Sequence, residues 1–286
     1  MPSPEKTALV IEGGGLRGAF AVGVLRILLR DVGADYFNTI LAASSGVFAG
    51  TYFAASQGEE MENTWRDRVW GNLLVNHWNW FSPARPVLRL DYLIDLFKGP
   101  VRLDVDAVMR ARPHIEYVLT DYLNGKAAYF DAKRMDIFDL MRASAALPRV
   151  YPVPVVIDGH PFYDGGQSDP VPVARAISGG ATRIVVVRTR PMGYLKKPRS
   201  RRVGRLLLPK ATLAREEWCT LHERYNATVA LIESPPPGVH ILAICPRELH
   251  LGRLTRSRAQ IIAAIEHGKE IAQTELREHA RFFQPQ

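Results

Sequence analysis

Leu41-Ala42-Ala43-Ser44-Ser45-Gly46-Val47-Phe48-Ala49-Gly50 constrains this chain more than any other stretch. An apolar run from Tyr36 to Ala43 stops at a serine among small residues, and a small-residue helical pattern follows. That layout predicts a nucleophile elbow, a sharp strand-to-helix turn that lifts a serine hydroxyl clear of the backbone. The turn is crowded, so the positions two before and two after the nucleophile must be tiny. Here they are Ala42 and Gly46, giving A-A-S-S-G in place of the usual G-x-S-x-G. Ser45 is the rival nucleophile, but that register puts β-branched Val47 where a tiny residue is needed.

The segment before the elbow has matching character. Thr7 to Glu12 reads as a buried strand, Gly13-Gly14-Gly15-Leu16-Arg17-Gly18 as a glycine turn, and Ala19 to Arg30 as a helix. Such a turn gathers free backbone N–H groups and the positive end of a helix dipole at one spot, which suits an anion. Gly13, Gly15 and Gly18 also fit G-x-G-x-x-G, so a nucleotide-binding module is an alternative. That alternative requires an acidic residue at the end of the second strand to hold a ribose. The strand ends instead in Ala42-Ala43-Ser44, and Asp35 lies before it.

Further along, Gly58 to Lys98 is rich in tryptophan (Trp65, Trp70, Trp78 and Trp80, with Phe81) and broken by Ser82-Pro83 and Arg85-Pro86. It reads as a helical, cap-like insertion around residues 58–98 whose tryptophans pack onto the core, with a lid over the elbow that touches lipid as the alternative. His114 to Asp121 and Lys126 to Phe130 form a predicted hairpin around Asn124-Gly125. Met135 to Ala146 is a predicted helix, Tyr151 to Ile157 a strand, Asp158-Gly159 a turn, and His160 to Tyr163 a strand leading into Asp164-Gly165-Gly166. Arg183 to Arg188 and His240 to Ile244 are further strands; Lys196 to Arg202 is a basic loop; Ala211 to Ile232 and Ser257 to Phe283 are long helices. Helices and strands alternate throughout. The expected architecture is a three-layer α/β fold, a mainly parallel central sheet with helices on both faces, in a single domain over residues 1–286.

Composition narrows the partners. The chain carries 37 Lys and Arg against 29 Asp and Glu, a formal +8, which favours anionic partners. An anionic membrane surface is one candidate for peripheral contact; no nucleic acid is expected. Two cysteines, Cys219 and Cys245, are too few for a disulfide framework or a structural zinc site. No cofactor and no metal is expected. The first six residues run straight into a strand, leaving no secretory signal, and no apolar stretch approaches the roughly 18 residues of a membrane span. The expected location is cytoplasmic, with peripheral membrane association as the variant of that reading.

Three pieces have to be read together. A serine hydrolase needs a nucleophile, donors for an oxyanion, and a base. Ser44 offers the first, the glycine turn the second, and Asp164, held between a short strand and a glycine pair, the third. Asp158-Gly159 is a rival base motif that reads better as a hairpin turn. Gly13 to Gly18 after the first strand, Ser44-Ser45-Gly46, and Tyr163-Asp164-Gly165-Gly166 followed by Asp169-Pro170-Val171-Pro172 together resemble the patatin-like phospholipases. Ala143 to Pro148 is similar to the block before the family's aspartate strand, and His222-Glu223-Arg224-Tyr225-Asn226 and Ile244-Cys245-Pro246 resemble a bacterial subgroup. The likeness covers about Thr7 to Arg188. Ala42 in place of glycine is the departure, one methyl group at a tight turn.

The resemblance implies a Ser-Asp dyad with Ser44 as nucleophile and Asp164 as base. It implies an oxyanion hole at Gly13, Gly14, Gly15, Arg17 and Gly18. The implied reaction is hydrolysis of a carboxylic ester, usually an acyl chain of a glycerolipid, through an acyl-Ser44 intermediate. Ser144 reads as structural. A Ser-Asp-His hydrolase is the other alternative, and it would recruit a histidine after Asp164: His222, His240, His250, His267 or His279.

Overall fold

The computed structural model describes residues 6–81, 85–151, 153–208, 211–248 and 251–284. His250 and Ser82-Pro83 lie outside the described residues, as do the side chains of Trp80 and Phe81. In chain order the elements are β1 (Thr7–Ile11), α1 (Gly18–Asp31), β2 (Thr39–Ala43), α2 (Ser45–Ala54), α3 (Gly58–Asp67), α4 (Leu90–Lys98) and α5 (Val105–Arg110). Then follow β3 (His114–Asp121), β4 (Ala127–Asp131), α6 (Ile137–Ala145), β5 (Val155–Ile157), β6 (His160–Asp164), α7 (Val173–Ser178) and β7 (Arg183–Val187). The chain closes with α8 (Arg201–Leu207), α9 (Thr212–Glu233), β8 (His240–Ile244) and α10 (Arg258–Glu278).

The strands form one sheet in the order β5-β6-β3-β2-β1-β7-β8, with β4 paired to β3. The central run β3-β2-β1-β7-β8 is parallel, and the β3–β4, β3–β6 and β5–β6 pairings are antiparallel. Side chains on a strand point to alternate faces. In β1, Leu9 and Ile11 therefore join one hydrophobic cluster with α1, α2, α3, α4 and α6, whereas Ala8 and Val10 join a second with α7 and α9. Val185 and Val187 of β7 divide from Ile184 and Val186 in the same way. A sheet buried on both faces between helical layers is the three-layer arrangement the alternation predicts.

Four segments differ from expectation. Regular strand begins at Val155, not Tyr151; Pro154 just before it has no N–H to donate to a ladder. β2 begins at Thr39, after a 3-10 turn at Ala34–Tyr36. The last helix stops at Glu278, and Ala280–Phe283 forms a separate 3-10 turn. The basic loop gives way at Ser200 to α8, whose Gly204 lies against Arg215, Trp218 and Cys219 of α9. Glycine at that position brings two helices close together, a packing reason that charge patterning does not carry.

The tightest helix contact is between α1 and α10. A Cβ on Gly23 would sit 2.0 Å from the Ile265 carbonyl oxygen, and one on Gly268 2.2 Å from that of Phe20. The two helices thus touch backbone to backbone. Gly23→Ala and Gly268→Ala are each expected to lower the unfolding free energy by about 1–3 kcal/mol or more through overpacking. Chemical denaturation checks this; an unchanged midpoint in both variants contradicts the crossing.

Candidate active site

The carboxyl ends of β1, β2 and β6 meet at one spot. Ser44 follows β2 with φ 53° and ψ −131°, a region that side-chain-bearing residues rarely adopt, and α2 starts at the next residue. The predicted elbow is therefore present in the backbone itself. Small neighbours make room for it: a Cβ on Gly46 would fall 2.9 Å from the Ile11 carbonyl oxygen, and one on Gly13 2.6 Å from Ser44 Cβ. Ala42 is fully buried in the core and its methyl is accommodated there.

The elbow has a pin that sequence reading did not assign. The Ser44 N–H donates to Ser144 Oγ at 3.0 Å, and the Ser144 hydroxyl donates to the Val118 carbonyl at 2.7 Å. Ser144 sits in α6, 100 residues from Ser44, so no local pattern could have linked them.

Asp164 ends β6. Its Oδ2 accepts the Ser44 hydroxyl at 2.9 Å, and its Oδ1 accepts the Gly166 N–H at 2.7 Å. Gly165 is obligatory because a Cβ there would lie 1.9 Å from the Val118 carbonyl oxygen. Thr120 Oγ1 donates to the Asp164 carbonyl and fixes its backbone. Burial raises the carboxyl to about 6, against the opposing pull of the Ser44 and Gly166 hydrogen bonds and of Arg253 and Lys196. Asp158 occupies the turn between β5 and β6, as the hairpin reading expected.

The glycine turn faces Ser44, but its donors are differently engaged. The Gly14 N–H donates to Ser45 Oγ at 3.1 Å, Gly13 N–H to Pro170, and Leu16 N–H to the Arg253 carbonyl at 2.9 Å. Gly18 N–H is held by the Gly15 and Leu16 carbonyls. Gly15 N–H has no partner among the described residues. Gly15 adopts φ +59°, and any Cβ there would strike the Arg253 carbonyl at 2.5 Å. Ser45, the rival nucleophile, is thus occupied on the glycine turn, while Ser44 faces the carboxylate.

Around these groups lies a deep cleft with about 850 Å³ of empty space, part of it open to solvent. Trp65, Leu74, Leu88, Leu90, Leu93 and Phe97 form its apolar wall, so the Trp-rich segment lines the cleft. Of its described tryptophan side chains, Trp65 alone packs inward as expected; Trp70 is 39% and Trp78 72% exposed. The other wall is cationic. Lys196 and Arg253 line the cleft, and Arg17 is buried with its Nε unpartnered among the described residues. Burial, reinforced by Arg253, lowers Arg17 and Arg199 each to about 10, and burial holds Lys196 well below the ordinary lysine range.

The histidine and nucleotide alternatives find no support in this geometry. No described histidine lines the cleft. His222 Nδ1 bonds the Cys219 carbonyl and His160 bonds Asp121. Asp35 lies in the 3-10 turn before β2 and does not reach the cleft.

The C-terminal third completes the site. Tyr225 donates its hydroxyl to Glu12 Oε1 at 3.0 Å and accepts from Arg188, while Glu12 Oε2 accepts the Thr189 N–H at 2.6 Å. Asn226 exchanges two hydrogen bonds with the Lys196 backbone, at 2.8 and 3.1 Å, and the Lys196 ammonium lies 4.0 Å from the Tyr225 ring centre. Glu12 is the last residue before the glycine turn, so this network braces the turn from behind.

With that geometry in hand, comparison with known proteins is decisive for kinship. A family model described as patatin-like phospholipase matches residues 9–177. The chain belongs to this family. A second family model, a domain of unknown function, matches residues 219–284. The chain is 29% identical over 269 residues to protein YjjU of Escherichia coli (strain K12), covering 86% of this chain and 70% of that protein. It is 30% identical over 175 residues to the NTE family protein Rv1063c of Mycobacterium tuberculosis (strain ATCC 25618 / H37Rv), covering 60% of this chain but only 46% of that longer relative. Among solved structures, VipD from Legionella pneumophila shares the fold with a TM-score of 0.52 at 12% identity, covering 97% of this chain and 68% of that one.

Ser144→Ala removes the pin without adding bulk. It leaves the Ser44 N–H unpaired in a buried turn, an expected cost of about 1–3 kcal/mol. Thermal unfolding measures this; a variant as stable as the parent contradicts the pinning role.

Proposed function

We propose that this protein is a serine esterase of the lipid acyl hydrolase kind, phospholipase A-like, using Ser44 and Asp164 as a dyad. The observation that carries the reading is the 2.9 Å hydrogen bond from a serine on a strained elbow to a buried carboxylate. Family membership and the apolar wall of the cleft support an acyl substrate; Lys196 and Arg253 support an anionic group at its polar end.

In the proposed reaction Ser44 Oγ attacks the ester carbonyl as its proton passes to Asp164 Oδ2. The oxyanion receives the Gly15 N–H, and also the Gly14 N–H once Ser45 Oγ turns away. Collapse breaks the ester bond, Asp164 returns the proton to the leaving alkoxide, and acyl-Ser44 remains. Water then attacks the acyl carbonyl, gives its proton to Asp164, and the free acid leaves as Ser44 recovers the proton. Gly13, Arg17 and Gly18 shape the turn behind these donors. The same reading treats the chain as one hydrolase domain, supported by a sheet that continues through β8. It includes peripheral residence at a membrane, and no helix among the described residues is long and apolar enough to cross one.

Labelling with a fluorophosphonate followed by mass spectrometry is the direct test. The adduct is expected on Ser44, absent in Ser44→Ala, and retained in Ser45→Ala; an adduct on Ser45 overturns the assignment. Because the Gly14 N–H is freed in Ser45→Ala, that variant keeps its turnover within about tenfold, whereas loss of an oxyanion donor costs about 100- to 1,000-fold.

The pH profile follows from the raised carboxyl. Asp164 must be ionised to accept the proton, so turnover is low below its pKa and rises as pH passes about 6. An ordinary aspartate would place that limb near pH ~4. Asp164→Asn is expected to lose about 100- to 10,000-fold in turnover, and single replacements of the histidines should leave the limb in place. A limb that moves when one histidine is replaced overturns the dyad.

A further inference from the structure

The net positive charge of this chain comes from one segment. Between Arg190 and Arg215 lie nine Lys and Arg residues and no Asp or Glu; the rest of the chain has 28 Lys and Arg against 29 Asp and Glu. The basic excess of the whole protein is therefore local. The side chains of Lys197, Arg201, Arg202 and Arg205 are exposed and make no ion pair or hydrogen bond among the described residues. They are free to meet an external anion.

The same segment exposes large apolar side chains. Met192, Leu195, Val203, Leu206 and Leu213 are all solvent-facing, with Leu195 56%, Leu206 59% and Leu213 60% exposed. The inward contacts are made by Gly204 of α8, against Trp218, and by Leu208 just after it, in a cluster with Tyr163 and Trp218. Val203 and Leu206, three residues apart, share a face turned away from that contact. A polybasic rim around exposed aliphatic side chains is the pattern of an interfacial helix, where headgroups meet cations and the acyl boundary takes apolar groups. A nucleic acid would use the cations and leave the leucines in water.

The segment also adjoins the cleft. Lys196, next to Leu195, lines it; Arg199 donates to Gln167 Oε1 at 3.1 Å, and Gln167 lines it too. Leu208 and Trp218 rest on Tyr163, the residue before Asp164. We infer that the surface of Met192 to Leu206, with Leu213, is where the protein docks on an anionic lipid bilayer, with Val203 and Leu206 seated among the acyl chains and the arginines on the headgroups. This rests on the membrane residence included in the proposed function and names its surface, and docking itself requires no turnover.

The test is partition onto vesicles of phosphatidylcholine with and without phosphatidylglycerol, at low and high salt. The full-length protein should bind only the phosphatidylglycerol vesicles and be released by salt. Each arginine near an anionic surface strengthens partition about fivefold, so Arg201→Gln/Arg202→Gln/Arg205→Gln should weaken it on the order of 100-fold. Val203→Ser/Leu206→Ser, with unchanged charge, should weaken it on the order of 10-fold. Both sets lie on the surface and should keep fluorophosphonate labelling and hydrolysis of a soluble short-chain ester. Equal binding to both vesicle types, full binding by either variant, or capture of duplex DNA in place of vesicles overturns the proposal. A protein that docks but is not labelled fails only the hydrolase reading; one that is labelled but does not dock fails only this one.

Discussion

At Ser44 the backbone is held where a side-chain-bearing residue costs about 1–3 kcal/mol, and the arrangement persists only because its surroundings leave no alternative. Gly13 and Gly46 admit β1 to within contact of the turn, and Ser144 takes the otherwise unsatisfied N–H. The strain falls on the residue whose hydroxyl faces Asp164. Relaxing the turn would remove the strain and carry the hydroxyl away from the carboxylate, so the packing that maintains one maintains the other.

The polar surroundings of this turn come from far along the chain. Glu12 reaches Tyr225, which meets Arg188; Asn226 holds the strand of chain that presents Lys196; the Arg253 carbonyl occupies the Leu16 N–H. Five of these partners (Arg188, Lys196, Tyr225, Asn226 and Arg253) lie beyond residue 177, where the patatin-like match ends. Apart from Arg17, the cationic wall of the cleft thus belongs to the second matched region and its approaches, whereas the elbow, the carboxylate and most of the apolar wall belong to the first.

That division also accounts for what could be read from sequence. The elbow and glycine turn are local, and their small residues report directly on backbone crowding. Asp164 lies 120 residues from Ser44, yet it was legible because Gly165 and Gly166 mark a place where backbone must approach backbone. The three-layer fold was legible from alternation and the β3–β4 and β5–β6 hairpins from their turn residues, but the antiparallel pairing of β3 with β6 was not, since it joins strands far apart in the chain. Ser144 reads as any small helical residue, and its role as a pin appears only when α6 is laid beside the elbow. The engagement of Gly14 by Ser45 is likewise invisible in a motif. The helix at Arg201–Leu207 was hidden beneath its charge, because its reason to be helical is Gly204 lying on Trp218.

The pairing of β1 with β7 bears on how this protein can be divided. β1 is buried along its whole length, with β2 on one side and β7, Arg183 to Val187, on the other. A fragment ended at residue 177, where the patatin-like match stops, would retain β1 and lose its β7 neighbour. Five consecutive buried residues would then present unpaired N–H and C=O groups along an apolar edge, a template for strand addition between molecules. Such a fragment would keep both Ser44 and Asp164 and still fail as a soluble preparation, through self-association at the middle of its own sheet.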